Sequence, residues 1–306
     1  MNKKHLGVLY IIVSAFCFAL MNTFVRLSGD LPTIQKSFFR NFVAVIFAII
    51  VLKKNHIPIR WGKGNLKFHL LRSAAGTLGI LCNFYAIDHL VLSDASMLNK
   101  MSPFFAIIFS FIFLKEKISV FQTLAVAAAF IGSLFIIKPS FTGIDFLPGF
   151  IGFLGGMGAG AAYTAVRHLG SKGEKGPFIV LFFSAFSCLV TLPYIIFNYQ
   201  QMEIRQLIYL LCAGLSAAGG QFSITAAYCY APAKEISVYD YSQIIFAAAI
   251  GYVLFGQIPD KFSFVGYAVI ITAAILMFIY NNKSSGRNSE NKINNCLLYT
   301  SDAADD

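Results

Sequence analysis

Two charged residues stand inside long apolar stretches of this chain, and they are the first candidates for chemistry. Lys100 lies six or seven residues into Ser93–Lys117, a run that opens with small and polar residues, turns almost wholly apolar to Leu114, and stops at Lys115-Glu116-Lys117. At ~1.5 Å of rise per residue, Asn99 and Lys100 sit roughly 10 Å deep if the run is a membrane-spanning helix. Asp240 lies in Tyr239-Asp240-Tyr241, with Gln243 one turn further on. Ionised groups at such depth are expensive in hydrocarbon, so each must face protein or water, where it can touch a solute or a coupling ion. Asp240 can take up and release a proton, which makes it the candidate for proton or ion coupling; a purely structural role is the alternative for both residues. The two enter from opposite sides of a ~30 Å core, so continuous helices leave roughly 12 Å between them along the normal. Two separate polar stations are therefore expected rather than a direct ion pair.

Arg40, at the outer end of the second apolar stretch, either snorkels to the headgroups or faces a cavity as an anion clamp, since a guanidinium can hold a carboxylate by two parallel hydrogen bonds. Asn22, Asn83, Tyr85, Asn99, Tyr163, Gln221, Tyr228, Tyr239, Tyr241 and Gln243 are uncharged polar residues within apolar stretches. Each either lines a solute pathway or ties helices together. Tyr239, Tyr241 and Gln243 are favoured for the pathway because they share a segment with Asp240.

The composition explains why these residues stand out. Only 12% of the 306 residues are charged and 57% are hydrophobic, with mean hydropathy +0.69. Soluble domains carry about 25% charged residues, so the chain is read as an integral membrane protein. Its net charge of +10 then concerns topology rather than nucleic acid. Ten spans are expected: Leu6–Leu27, Ile34–Leu52, Phe68–Leu90, Ser93–Leu114, Val120–Ile137, Leu147–Arg167, Phe178–Phe197, Leu207–Tyr228, Glu235–Phe255 and Phe262–Tyr280. Leu6–Val25 is longer than a signal-peptide core and is read as a retained span. With the N-terminus inside, seventeen Lys and Arg, Arg72 among them, fall on the inner side and six, including Arg26, Lys36 and Arg40, on the outer; Lys100 completes the 24. That bias puts both termini in the cytoplasm of a multi-pass cell-membrane protein.

A shift of 141 residues lays Phe24-Val25-Arg26 on Ala165-Val166-Arg167, Gly79 on Gly220, Ser96 on Ser237, and every span on a span. Residues 1–141 and 142–282 thus form two five-helix repeats. An odd number of spans per repeat forces the second to enter from the opposite face. The fold class is all-α integral membrane, ten transmembrane helices as two inverted five-helix repeats. Secondary transporters use this architecture and bind solute near the midplane, between repeats. Gly152, Gly156 and Gly160 form two overlapping GxxxG steps, read as close helix packing. Pro103 can kink the fourth span. Glu116 is read as a solvated member of an ion pair at the inner surface.

Five of the six cysteines (Cys17, Cys82, Cys188, Cys212 and Cys229) fall in apolar runs without metal spacing and are read as buried packing residues. The five histidines lie near span ends. HExxH, GxSxG and P-loop motifs are absent, Gly214-Leu215-Ser216-Ala217-Ala218 missing the second glycine. Neither an enzyme nor an ATP-driven pump is expected, and no cofactor or metal. The expected partners are a small-molecule substrate and the lipid bilayer; a homodimer is compatible with such a chain, and nucleic acid is not expected.

Residues 283–295 read as a polar cytoplasmic tail. Cys296–Asp306 looks like a translated sequencing adapter, so the natural C-terminus is expected to differ from about residue 295 onward.

Several runs in order resemble the drug/metabolite transporter superfamily, in its ten-helix EamA-type branch. They are Phe38-Phe39-Arg40-Asn41, Arg72-Ser73-Ala74-Ala75-Gly76, Ala95-Ser96-Met97-Leu98-Asn99 with Ser102-Pro103, Leu114-Lys115-Glu116, and Gly132. The resemblance spans about Leu6 to Tyr280. The second half departs from it: Gln257 replaces Glu116, Ile244 replaces Pro103, and Asp240-Tyr241 replaces Asn99-Lys100. Phe255–Lys261 and Tyr239-Asp240-Tyr241 are similar to the S-adenosylmethionine-uptake subgroup. The resemblance implies a secondary transporter of a small organic metabolite working by alternating access. A lipid-moving protein on the same scaffold is the alternative.

Overall fold

The computed structural model describes residues 3–58, 62, 64–114, 118–137, 146–230 and 237–280. Glu116, the Lys138-Pro139 and Ala231-Pro232 linkers, the polar tail and the adapter-like end lie outside them, as do the side chains of Tyr228 and Cys229. The described residues form helices α1 Lys3–Leu27, α2 Thr33–Lys54, α3 Leu66–His89, α4 Leu92–Asn99, α5 Ser102–Leu114, α6 Val120–Ile137, α7 Phe146–Ser171, α8 Gly176–Asn198 and α9 Ile204–Tyr230. A 3-10 turn, Ser237–Tyr241, leads into α10 Ser242–Phe255, and α11 covers Lys261–Tyr280. Among the described residues eight helical stretches, α4 and α5 counting as one, are long and apolar enough to span a bilayer; two shorter apolar helices, α6 and Tyr239–Phe255, bring the total to ten.

Helices dominate because lipid offers backbone N–H and C=O groups no partner. The outward faces carry exposed Leu78, Ile112, Leu189, Phe197, Ile245 and Val253. The interior holds Lys36, Arg40, Asn41, Arg72 and Asn83. Polar groups inside and apolar groups outside suit a bundle solvated by acyl chains.

Two of the expected spans depart from a continuous α-helix. The fourth divides at Lys100-Met101 instead of kinking at Pro103. Proline lacks the N–H that would bond the residue four earlier, and its ring crowds that carbonyl, here of Asn99. The first helix therefore ends at Asn99, and Pro103 sits in the first turn of α5, where its fixed φ is favourable. Among its described residues the ninth span runs as a 3-10 turn from Ser237 to Tyr241 and becomes α-helical at Ser242. It ends at Gly256, whose φ of 60° suits a left-handed cap residue.

Packing pairs follow the 141-residue shift. The α1–α9 contact has its counterpart in α7–α3, α2–α9 in α8–α3, and α1–α10 in α7–α5. One apolar core, around Phe104, Phe105, Ile244 and Ile270, joins α5, α6, α10 and α11; another, around Phe84, Ile87, Ala213 and Ala217, joins α1, α3 and α9.

At the end of the bundle carrying the α1–α2 and α8–α9 connections, the halves are laced together. Gln35 and Gln200 exchange two hydrogen bonds (2.9 and 3.1 Å), Gln206 donates to the Ser28 carbonyl (3.0 Å), and the Leu92 N–H donates to Gln257 (3.1 Å). Asp94, buried near the start of α4, accepts from Tyr267 and from Ser263 (3.1 Å) of α11. At the other end Glu174 accepts from the Gly62 N–H (2.7 Å) and from Asn65 (2.8 Å), with His69 3.8 Å away. Burial pushes the Glu174 carboxyl up, but these donors and the nearby His69 outweigh it and hold the group below its usual range.

Candidate functional site

Breaking α4 from α5 exposes backbone and polar side chains at the centre of the bundle. A cavity of about 80 Å³ opens there, room for a few water molecules. Both halves line it. Arg40, Asn83, Asn99, Lys100, Tyr163, Gln221 and Gln243 all reach it, together with Arg72, Ser102 and Phe183. Seven of the thirteen candidates named from sequence are thus gathered in one place.

Lys100 Nζ lies 2.6 Å from Asp240 Oδ2, and both side chains are largely buried. This corrects the expected 12 Å separation. That arithmetic assumed straight, continuous α-helices, whereas Lys100 sits in a helix break and Asp240 in a 3-10 turn, which advances about 2.0 Å per residue rather than 1.5. The contact is also one of register. The shift places Lys100 on Tyr241 and Asn99 on Asp240, and the Tyr241 hydroxyl donates to the Lys100 carbonyl at 3.2 Å. Residues matched by the repeat touch one another, so they sit where the halves meet. Asp240 Oδ1 is buried without a partner among the described residues.

Arg40 is 2% exposed and Arg72 6% exposed. Snorkelling by Arg40 is thereby excluded. Asn41, anchored on the Ser37 carbonyl and on Ser187 (both 2.9 Å), accepts from Arg40 Nη1 at 2.7 Å. The Arg72 guanidinium lies over the Phe183 ring at 4.0 Å, a cation–π contact that fixes its plane. No carboxylate among the described residues lies within ion-pair distance of either guanidinium. Both arginines and Tyr163 line the same cavity. Tyr163 keeps 41% of its surface accessible while lining the cavity.

Arg72 was missed as a site residue because it was counted with inner-surface charges. The signal was present: it falls four residues inside the expected span Phe68–Leu90. Lys36 was likewise counted as an outer charge, yet it is fully buried and held by Asp88 at 2.7 Å.

The other candidates whose side chains are described lie outside the cavity lining. Asn22 donates to Ser96 at 3.3 Å, tying α1 to α4, and its Oδ1 has no partner among the described residues. Tyr241 supports Lys100 through its carbonyl. Tyr85 stacks on His89 at 4.1 Å near the end of α3, and Tyr239 is exposed; neither reaches the cavity. Cys17, Cys82, Cys188 and Cys212 are free and half-buried rather than fully buried. Among the described residues no cluster of His, Cys, Asp or Glu could hold a metal.

The sequence profile of the EamA-like transporter family matches residues 5–138 and again 147–279. The chain belongs to the EamA-like transporter family. It is 30% identical over 275 residues to the pseudopaline exporter of Pseudomonas aeruginosa, covering 89% of this chain and 95% of that one. It is 26% identical to the riboflavin transporter of Vibrio cholerae, covering 94% of this chain and 98% of that one. A solved crystal structure shares the fold, with a TM-score of 0.63 at 12% identity, over 89% of this chain and 96% of the other. This EamA-like chain is therefore a multi-pass membrane protein of transporter type, and its central cavity joins residues from both matched segments.

Proposed function

We propose that this protein is a secondary transporter that carries a small organic metabolite across the cytoplasmic membrane by alternating access. The solute occupies the central cavity between two inverted five-helix repeats, residues 1–141 and 142–282, with both termini cytoplasmic. One observation carries the reading: Lys100 and Asp240, where two spans depart from α-helix at repeat-matched places, pair at 2.6 Å beside a cavity lined from both halves. Broken spans at a repeat interface supply free backbone groups and polar side chains for a solute that continuous apolar helices cannot bind. The exchange of packing pairs under the 141-residue shift supports inverted repeats, and relatives named for two different organic molecules support solute transport.

The mechanism follows from the two laced ends. In the proposed topology the Gln35–Gln200, Ser28–Gln206 and Leu92–Gln257 contacts close the outer end, and Glu174 bridges the halves at the inner end. Releasing one set while keeping the other exposes the cavity to one side at a time. Asp240 couples this to a proton or ion: when its charge is neutralised, Lys100 loses its partner and the two spans can separate. The test is flux of labelled solutes, headed by S-adenosylmethionine and amino acids, into proteoliposomes with and without a pH gradient. At least one is expected to accumulate, faster with the gradient. Movement of labelled phospholipid without flux of any solute overturns the proposal in favour of a lipid-moving protein.

A further inference from the structure

Arg40 and Arg72 approach the cavity from opposite ends of the bundle, each about seven residues into its helix. Ion pairing elsewhere in the interior is local: Lys36 has Asp88 and Lys100 has Asp240. Among the described residues these two guanidinium groups have no carboxylate partner, although each is more than nine-tenths buried. A guanidinium offers five N–H donors in a planar fork. Among the described residues, Arg40 spends one on Asn41, and the Nε of each arginine is buried with no acceptor. The supports nevertheless hold both groups in place, Arg40 through Asn41 and Arg72 against Phe183. Buried cations that are held but unneutralised are costly unless an anion comes to them.

We infer that the central cavity is an oxyanion site, in which Arg40 and Arg72 together grip a carboxylate or phosphate group of the transported molecule. Planar forks match the two oxygens of a carboxylate or phosphate, which neither a lysine nor an amide can do in the same way. Asn83, whose Oδ1 has no partner among the described residues, reaches the same cavity and offers an acceptor for an N–H or O–H next to that anionic group. This deepens the reading of the cavity as the substrate site and rests on it.

The experiment is thermal unfolding of the purified full chain in detergent, in chloride, citrate or inorganic phosphate at equal ionic strength and pH 7. Citrate or phosphate is expected to raise Tm above the chloride value. A response to citrate alone assigns a carboxylate, to phosphate alone a phosphate, and to both their shared geometry. Arg40→Gln and Arg72→Gln are expected to abolish the rise, and Arg205→Gln, on an exposed residue, to keep it. Equal Tm in all three salts, or a rise that survives in both cavity variants, overturns the inference. Should either variant fail to fold, succinate and its dimethyl ester on the unsubstituted protein decide the matter: only the acid is expected to raise Tm, and an equal effect of the ester overturns the site. A citrate response in protein that moves no solute leaves the anion site standing and removes the transport reading. Flux of an amine or neutral solute without any anion response does the reverse.

Discussion

Asp240→Asn is expected to abolish pH-driven solute flux while the protein still inserts in the membrane. The carboxylate lies 2.6 Å from Lys100 in a largely buried pair, and asparagine cannot carry a proton through a transport cycle. Removing one partner of a buried pair leaves the other charge uncompensated, at a cost of about 3–5 kcal/mol. The variant should therefore also melt earlier. Lys100→Gln combined with Asp240→Asn removes both charges and is expected to recover much of that stability without recovering coupling. Proteoliposome flux with and without a pH gradient, read beside Tm, separates the two effects. Normal gradient-driven flux by Asp240→Asn would remove that residue from the mechanism, and a double variant no more stable than the single one would contradict the pairing.

Gly156→Leu is expected to have the largest effect on assembly. Helix α7 is wedged between α3 and the broken fourth span at backbone distance. A Cβ added at Gly156 falls on the Leu98 carbonyl oxygen, and one added at Gly160 lies 2.8 Å from the Ser102 oxygen. On the opposite face a Cβ at Gly158 meets the Ala75 oxygen at 2.8 Å. Backbone cannot yield as a side chain can, so the loss should reach or exceed the ~1–3 kcal/mol usual for overpacking. Gly170, in the same helix with open space around it, serves as the control; Gly170→Ala should fall within about 0.5 kcal/mol of the parent. Detergent melting of the three proteins checks this. A Gly156→Leu protein as stable as the parent contradicts the close approach. Asn99 of α4 and Ala159 and Tyr163 of α7 line the cavity, so loss of packing and loss of binding should coincide.

How far the sequence reached depended on the kind of signal. Long apolar runs closed by charges marked the spans, since lipid allows few other arrangements, and the GxxxG steps of α7 read directly as close packing. Pro103 was visible as a perturbation, but whether it bends a helix or ends it four residues earlier depends on what surrounds the freed carbonyl of Asn99. That distinction moved Lys100 from a helix interior to a break and closed the gap to Asp240. Arg72 was legible by position yet counted as a surface charge, because a charge tally treats every basic residue near a span end alike. Tyr85 and Tyr239 show the reverse: each lies on an element next to the cavity, but the local rotation, set by tertiary packing, keeps both out of its lining. Asn83, Asn99, Gln221 and Gln243 share their residue type with many purely structural amides, and only the fold sorts one from the other.

In the proposed transport cycle one cavity, shared by both halves, faces each side of the membrane in turn. Ser102 lines it beside the helix break and is buried. With the native cysteines replaced, Ser102→Cys should be tested with a small membrane-impermeant thiol reagent in right-side-out and in inside-out vesicles. Labelling from both faces, slowed by a transported solute, is the predicted result. Labelling from one face alone under all conditions would contradict the account.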